Sequence, residues 1–88
     1  MQDVELRKQA LKLRAEIERL DPKDDAGRAR LRSLLSGIER RISHPDDGEH
    51  HATLVADVRN DIRHFEVEHP QTTAILNEIM MALSNMGI

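Results

Sequence analysis

Apolar residues recur along this chain at alternating spacings of three and four positions, which is the period of an amphipathic helix. Four such stretches are separated by short segments that contain Pro, Gly or Asp. We therefore predict helices over about residues 3–20, 24–43, 48–69 and 70–86. Because the connections are short, consecutive helices should run antiparallel. The pattern predicts one all-α domain, residues 1–88, folded as a small four-helix bundle of two antiparallel helical hairpins.

The first three predicted helices carry narrow apolar stripes that should face a common core. These residues are Leu6, Ala10, Leu13, Ile17 and Leu20 in the first helix, Leu31, Leu35, Ile38 and Ile42 in the second, and Val55, Val58, Ile62 and Phe65 in the third. Val4 and Leu11 lie one position off the first stripe and are predicted to widen it. Gly37 inside the second helix indicates either a close helix contact or simple tolerance of glycine.

The two breaks before the second and third helices carry helix-start signals. At the first break, Asp21 could cap a helix with Pro22 at its first position, or Asp24 or Asp25 could cap one that begins later. The sequence leaves that choice open. At the second break, Asp46 is predicted to cap the third helix, because an acidic residue follows three positions later as in a capping box.

The fourth predicted helix is the most apolar segment of the chain and begins at a His-Pro corner. Pro70 suits the first position of a helix, and the residue before a proline is disfavoured in helical geometry, so the third helix should end near His69. The apolar residues here are Ile75, Leu76, Ile79, Met80, Leu83 and Met86. They cover an arc of roughly 160°, wider than the roughly 100° that packing on one neighbour requires. Met81 stands on the polar side.

This broad face predicts an interaction surface as well as a core contact. The candidate interaction residues are Ile75, Ile79, Met80, Met81, Leu83, Met86 and Ile88. We expect the partner to be a second copy of the chain, giving a homodimer, or another protein. Gly87 followed by Ile88 fits a Schellman helix ending that returns Ile88 to Leu83. That structural role is favoured over a docking tag at the C-terminus.

The C-terminal third resembles a known family. The run Phe65-Glu66, the pair His69-Pro70 and the final Leu-Ser-Asn-Met-Gly-Ile of residues 83–88 are similar to the domain of unknown function 4404 family of short bacterial proteins. The resemblance extends over essentially the whole chain in length and helix layout. It implies a bacterial, all-helical protein. The family has no established activity, so the resemblance implies no functional residues.

Composition narrows the classes of protein and the compartment. The chain has no Cys, which fits a reducing compartment and excludes disulfides and thiolate metal sites. Phe65 is the single aromatic residue, so additional burial from a second chain would help so small a core. No apolar run approaches the roughly 18 residues of a membrane span, and the first residues do not form a secretion signal. We expect a cytoplasmic protein with no membrane partner.

Charge is distributed unevenly along the chain. Residues 1–43 carry eleven Lys and Arg against eight Asp and Glu, a net +3, whereas residues 44–88 carry two against eight, a net −6. The halves could attract each other within one monomer or across a head-to-tail dimer. Alternatively, both are solvated faces.

No motif in the sequence indicates catalysis. There is no Gly-x-Ser-x-Gly elbow and no glycine-rich phosphate loop, so we expect no enzyme activity, no cofactor and no small-molecule substrate. Asp57, Asp61 and His64 share one face of the third helix and could hold a divalent ion if a partner added a ligand. A solvated polar face is the favoured interpretation, so we predict no metal site.

The sequence therefore predicts a non-catalytic helical protein-protein interaction module, homodimeric through its C-terminal helix. The alternative is a small nucleic-acid-associated regulator that uses the arginines of the second helix. These are Arg28, Arg30, Arg32, Arg40 and Arg41. The acidic net charge of −3 and the scarcity of aromatic residues disfavour that alternative.

Overall fold

The computed structural model describes residues 2–86, and the side chains of residues 4–86. This part of the chain forms four α-helices and no strand. They are α1 (Gln2–Arg19), α2 (Asp25–Ser43), α3 (Gly48–Phe65) and α4 (Pro70–Met86). The all-α prediction is confirmed.

The helices form a ring in which each one packs against two others. α2 lies between α1 and α3, and α4 closes the ring by packing on both α3 and α1. Consecutive helices alternate in direction, which produces an elongated bundle of 37 × 20 × 18 Å. This arrangement confirms the predicted four-helix bundle. It also explains the wide apolar arc of α4, because a helix between two neighbours must bury more than one narrow stripe.

The stripe predicted for α1 forms part of the core, because its five residues are all buried. The flanking Val4 and Leu11 are 63% and 68% exposed, so the prediction that they widen the core-facing stripe was wrong. In α2 and α3 the buried face is rotated from the prediction. The buried apolar residues there are Leu31, Leu34, Ile38, Leu54, Val58 and Phe65.

The rotation has a chemical cause. Leu35 and Ile42 of α2 and Val55 and Ile62 of α3 are only partly buried against the core. The core-facing positions that follow Leu34 and Ile38, and Leu54 and Val58, are occupied by Arg41 and Asp61, and both side chains are buried. A pattern built from apolar residues alone skips such polar positions, which shifts the predicted face.

The helix starts resolve the alternatives at both breaks. Asp24 caps α2, since its side chain accepts a hydrogen bond of 2.9 Å from the backbone N–H of Gly27. Asp47 caps α3 by accepting one of 3.0 Å from the N–H of His50. The prediction that Asp46 fills this role was therefore wrong by one residue. The aspartate that caps is the one whose carboxylate reaches the third residue of the helix.

α3 ends at Phe65, about four residues earlier than predicted. The residues between Phe65 and His69 form a turn, closed by a 2.9 Å hydrogen bond from the backbone N–H of His69 to the carbonyl of Phe65. α4 begins at Pro70 as predicted, and its Thr73 N–H reaches back to the His69 carbonyl at 3.0 Å. The steric restriction before proline thus acts on a whole turn.

Gly37 marks a close helix contact. A Cβ atom at this position would lie 3.0 Å from the Cδ1 atom of Leu54. The carbonyl of Gly37 also lies 2.9 Å from Nε2 of His50. The absence of a side chain therefore lets α3 approach α2 at this point.

Candidate protein-interaction surfaces

The predicted interaction residues of α4 divide between the core and the surface. Ile79 and Leu83 are fully buried inside the bundle, so they are not available to a partner in this conformation. The partly buried members of the set are Ile75, Met80 and Met86. Met81 is 66% exposed, as its place on the polar side predicts. Ile88 lies outside the described residues, so its two proposed roles stay predictions.

The solvent-facing side of α4 differs chemically from the rest of the surface. α4 carries one charged residue in 17, whereas α1 carries nine in 18, α2 seven in 19 and α3 five in 18. We call the exposed residues Ala74, Asn77, Met81, Ser84 and Asn85 the α4 outer face. The charged residue, Glu78, lies at the edge of this face, where its carboxylate is 3.2 Å from Nζ of Lys12 on α1. The face itself is neutral.

A second surface lies between α1 and α2. An open groove of about 470 Å³ is lined by Arg7, Ala10, Leu11, Arg14, Glu39, Ile42 and Ser43, and we call it the α1–α2 groove. Leu11 stands exposed at its edge, while Ile42 is partly buried against the core. Across the groove, the guanidinium of Arg14 lies 2.8 Å from the carboxylate of Glu39.

The third helix packs on the second through a polar groove that contains the predicted metal candidates. Asp61 is buried and accepts a hydrogen bond of 3.1 Å from Arg30, so the face is not simply solvated as predicted. Burial raises the pKa of Asp61, while Arg30 opposes that shift. Among the described residues, no group of three His, Asp or Glu side chains is placed to hold a metal ion. This groove is a helix–helix contact that an ion pair stabilises.

At the opposite end of the same helix pair, a buried arginine meets a histidine. Arg41 donates from Nε to Nδ1 of His51 at 2.8 Å, so that ring nitrogen must be unprotonated. Burial lowers the pKa of His51, and the positive charges of Arg41 and His50 lower it further. Nη1 of Arg41 has no hydrogen-bond partner in the described part of the chain. This contact requires a neutral His51.

A buried polar contact also joins α1 to α4. Thr72 donates its hydroxyl to Glu16 at 2.5 Å, and the second carboxylate oxygen of Glu16 lies 2.6 Å from Arg19. Both Glu16 and Thr72 are buried. Every carboxylate oxygen of Glu16 is thereby satisfied, which is the condition for burying such a group at tolerable cost. The contact fixes the first turn of α4 against α1.

A comparison with known families identifies the chain. The family described as Domain of unknown function (DUF4404) matches residues 6–88. The chain belongs to the DUF4404 family. No curated protein and no solved structure matches it significantly. In the described part of this DUF4404 protein, none of the helices combines the length and apolar character needed to cross a membrane.

The arginines of α2 do not form one surface in this DUF4404 protein. Arg30 and Arg40 lie near Asp61 and Asp47, at 3.1 and 3.5 Å respectively. Arg41 is buried, and Arg28 is partly buried. Arg32 is exposed. Because these positions lie on different sides of the helix, they do not present a continuous phosphate-binding face.

Ion pairs join the basic and acidic halves of the chain within one monomer. Lys12 pairs with Glu78 and Arg30 pairs with Asp61 across the residue 43 boundary. These contacts favour the first of the explanations considered for the uneven charge. The polar residues that sequence reasoning missed in the core are Gln9, Glu16, Arg41, Asp61 and Thr72. Their spacing of three or four from buried apolar residues is the signal that could have found them.

Proposed function

We propose that this DUF4404 protein is a non-catalytic protein-interaction module that forms a homodimer through the α4 outer face. The observation that carries the proposal is the neutrality of this face in a chain of which 33% of residues are charged. The centres of protein interfaces are depleted in charged residues, and Met is enriched there. A helix surface exposed to water has no comparable reason to lack charge.

Charge also supports a second copy as the partner. A twofold interface places the same patch on both subunits, so that patch must be compatible with itself. The α4 outer face brings no like charges together, and Glu78 at its edge is already paired with Lys12. Met81 would be the central apolar contact, since its flexible side chain adapts to a facing surface. The partly buried Ile75, Met80 and Met86 would lie at the flanks.

The buried members of the predicted set act indirectly in this proposal. Ile79 and Leu83 fix α4 in the bundle by packing in the core, so they hold the outer face in place without touching a partner. The nucleic-acid alternative is less well supported. The arginines that it requires are dispersed around α2, and two of them lie near carboxylates.

The mass in solution, measured by light scattering after size exclusion at two concentrations, tests the proposal. Detection uses refractive index, because the chain has no Trp or Tyr. We expect the wild type to have twice the chain mass and Met81→Glu to have the monomer mass. Leu11→Glu is the matched control, since Leu11 is 68% exposed and Met81 is 66% exposed, on different helices.

Both variants should keep the far-ultraviolet circular dichroism of the wild type, because both side chains are mostly exposed. A wild type that stays monomeric at both concentrations would overturn the homodimer. A dimer that survives Met81→Glu but not Leu11→Glu would move the interface to the α1–α2 groove.

A further inference from the structure

The second exposed apolar surface of this protein lies on α1, away from the α4 outer face. Val4 and Leu11 are 63% and 68% exposed and are seven residues apart, so they lie on the same side of α1. Leu11 also borders the α1–α2 groove, which continues to Ala10 and Ile42. This gives an apolar strip along α1 and a groove beside it, the geometry that receives the apolar face of another helix.

The charges around this strip are mainly positive. Arg7 and Arg14 line the groove from α1, and Glu39 lines it from α2. By helical spacing, Arg28 and Arg32 lie on the same side of α2 as Glu39, farther along that helix. Glu18 adds one negative charge on α1. Four arginines against two glutamates give a net +2 here, in a protein whose net charge is −3.

Arg14 can change partner at little cost. Its pair with Glu39 has side chains that are 62% and 52% exposed, and exposed ion pairs contribute only about 0–1 kcal/mol. A carboxylate from another protein could therefore replace or join Glu39. A second copy of this chain does not fit as well, because a twofold contact at the groove would bring the same basic surface against itself.

From these observations, we propose that the α1–α2 groove with the strip of Val4 and Leu11 binds an acidic amphipathic helix of a different protein. The partner helix places apolar residues at three- and four-residue spacings against Leu11 and Ile42. Its carboxylates lie near Arg14 and the other arginines of the rim. Electrostatic complementarity of this kind determines which partner is selected and how fast it associates.

A labelled peptide binding assay tests this proposal. The probe is an 18-residue peptide with capped ends and a fluorescent label, carrying Leu at helical positions i, i+3, i+4 and i+7 and Glu at most of the others. Fluorescence anisotropy follows its titration with the full chain. The control peptide has every Glu replaced by Lys. We expect saturable binding of the acidic peptide and at least about tenfold weaker binding of the basic one, equivalent to about 1.4 kcal/mol.

Two variants locate the binding. Leu11→Ser removes the apolar contact without adding charge, and we expect it to weaken binding of the acidic peptide about tenfold or more, the size expected when a central contact is lost. Met81→Ser is the matched control on α4 and should bind as the wild type does. Equal binding by the Leu11→Ser variant, or equal binding of the two peptides, would overturn the proposal.

The outcome is separable from that of the proposed homodimer. Light scattering on the same samples reports the mass, while anisotropy reports the peptide. Loss of the dimer in Leu11→Ser would mean that the groove is occupied by a second copy and would contradict the proposal of a different protein. Unchanged mass together with lost peptide binding would support it, whether or not the wild type is a dimer.

Discussion

The α4 outer face and the α1–α2 groove are both exposed surfaces of one bundle, yet they are built from different residues. The first carries amides, a hydroxyl, an alanine and Met81, with one charge at its edge. The second carries exposed apolar residues among arginines and glutamates. The inner sides of the same helices are alike, since both are aliphatic and buried. Residues on the outer sides of helices therefore distinguish possible partners, while residues on the inner sides determine the fold.

The largest expected effect separates the inner from the outer side of a helix. Ile79→Ala should destabilise the protein by about 2–5 kcal/mol, because Ile79 is fully buried and its truncation leaves a cavity. Leu11→Ala should change stability by no more than about 0.5 kcal/mol, because Leu11 is mostly exposed. Urea unfolding followed by circular dichroism measures both. Equal losses for the two variants would contradict the assignment of Leu11 to the outer side.

A smaller effect tests how α4 is held against α1. Thr72→Val removes the hydroxyl that Glu16 accepts from, leaving a buried carboxylate oxygen without that partner. We expect a loss of about 1–3 kcal/mol in the free energy of unfolding. The exposed Thr53 provides the control, and Thr53→Val should be nearly neutral. If the two variants unfold at the same urea concentration, Thr72 does not stabilise the contact.

The smallest effect concerns pH and lies on the α2–α3 side of the bundle. The pKa of His51 is lowered in the folded protein, so the folded state favours the neutral ring. The resulting stability is fully present above about pH 6.5, the unfolded value, and is lost as pH falls toward the lower folded pKa. His51→Gln keeps an acceptor for Arg41 and cannot be protonated. Between pH 7.5 and 5 its melting temperature should fall less than that of the wild type.

The control for that comparison is another histidine. His44→Gln changes an exposed residue of the α2–α3 loop and should preserve the wild-type pH dependence. A wild type and a His51→Gln variant with the same pH dependence would show that the bond from Arg41 to His51 does not tie stability to the protonation of the ring.

Apolar periodicity and proline placement together predict most of this fold. The stripe of α1, the start of α4 at Pro70 and the number of helices all follow from local pattern, since each depends on neighbours along the chain. The rotation of α2 and α3 does not, because it depends on Arg41 and Asp61, whose burial requires partners from another helix. Polar residues at core positions are recognisable only when the facing helix is known.

The candidate interaction surface was predicted less well than the fold, for a related reason. The wide apolar arc of α4 indicated surplus surface for a partner, but α4 packs on both α1 and α3, which consumes Ile79 and Leu83. What remains outside is Met81 in a neutral setting. The width of an apolar arc reports how many neighbours a helix has, and those neighbours can belong to the same chain.

Disulfide cross-linking of single-cysteine variants tests the central claim most directly, because the natural chain contains no Cys. We would place one cysteine at position 77, 81 or 85 of the α4 outer face, and as controls at Leu11 or at Val67, which is 84% exposed. Each variant is equilibrated in a glutathione buffer at low protein concentration and examined by non-reducing electrophoresis. The account predicts a covalent dimer from at least one α4 position and little from either control. Equal cross-linking at all five positions, or dimers from position 11 alone, would contradict it.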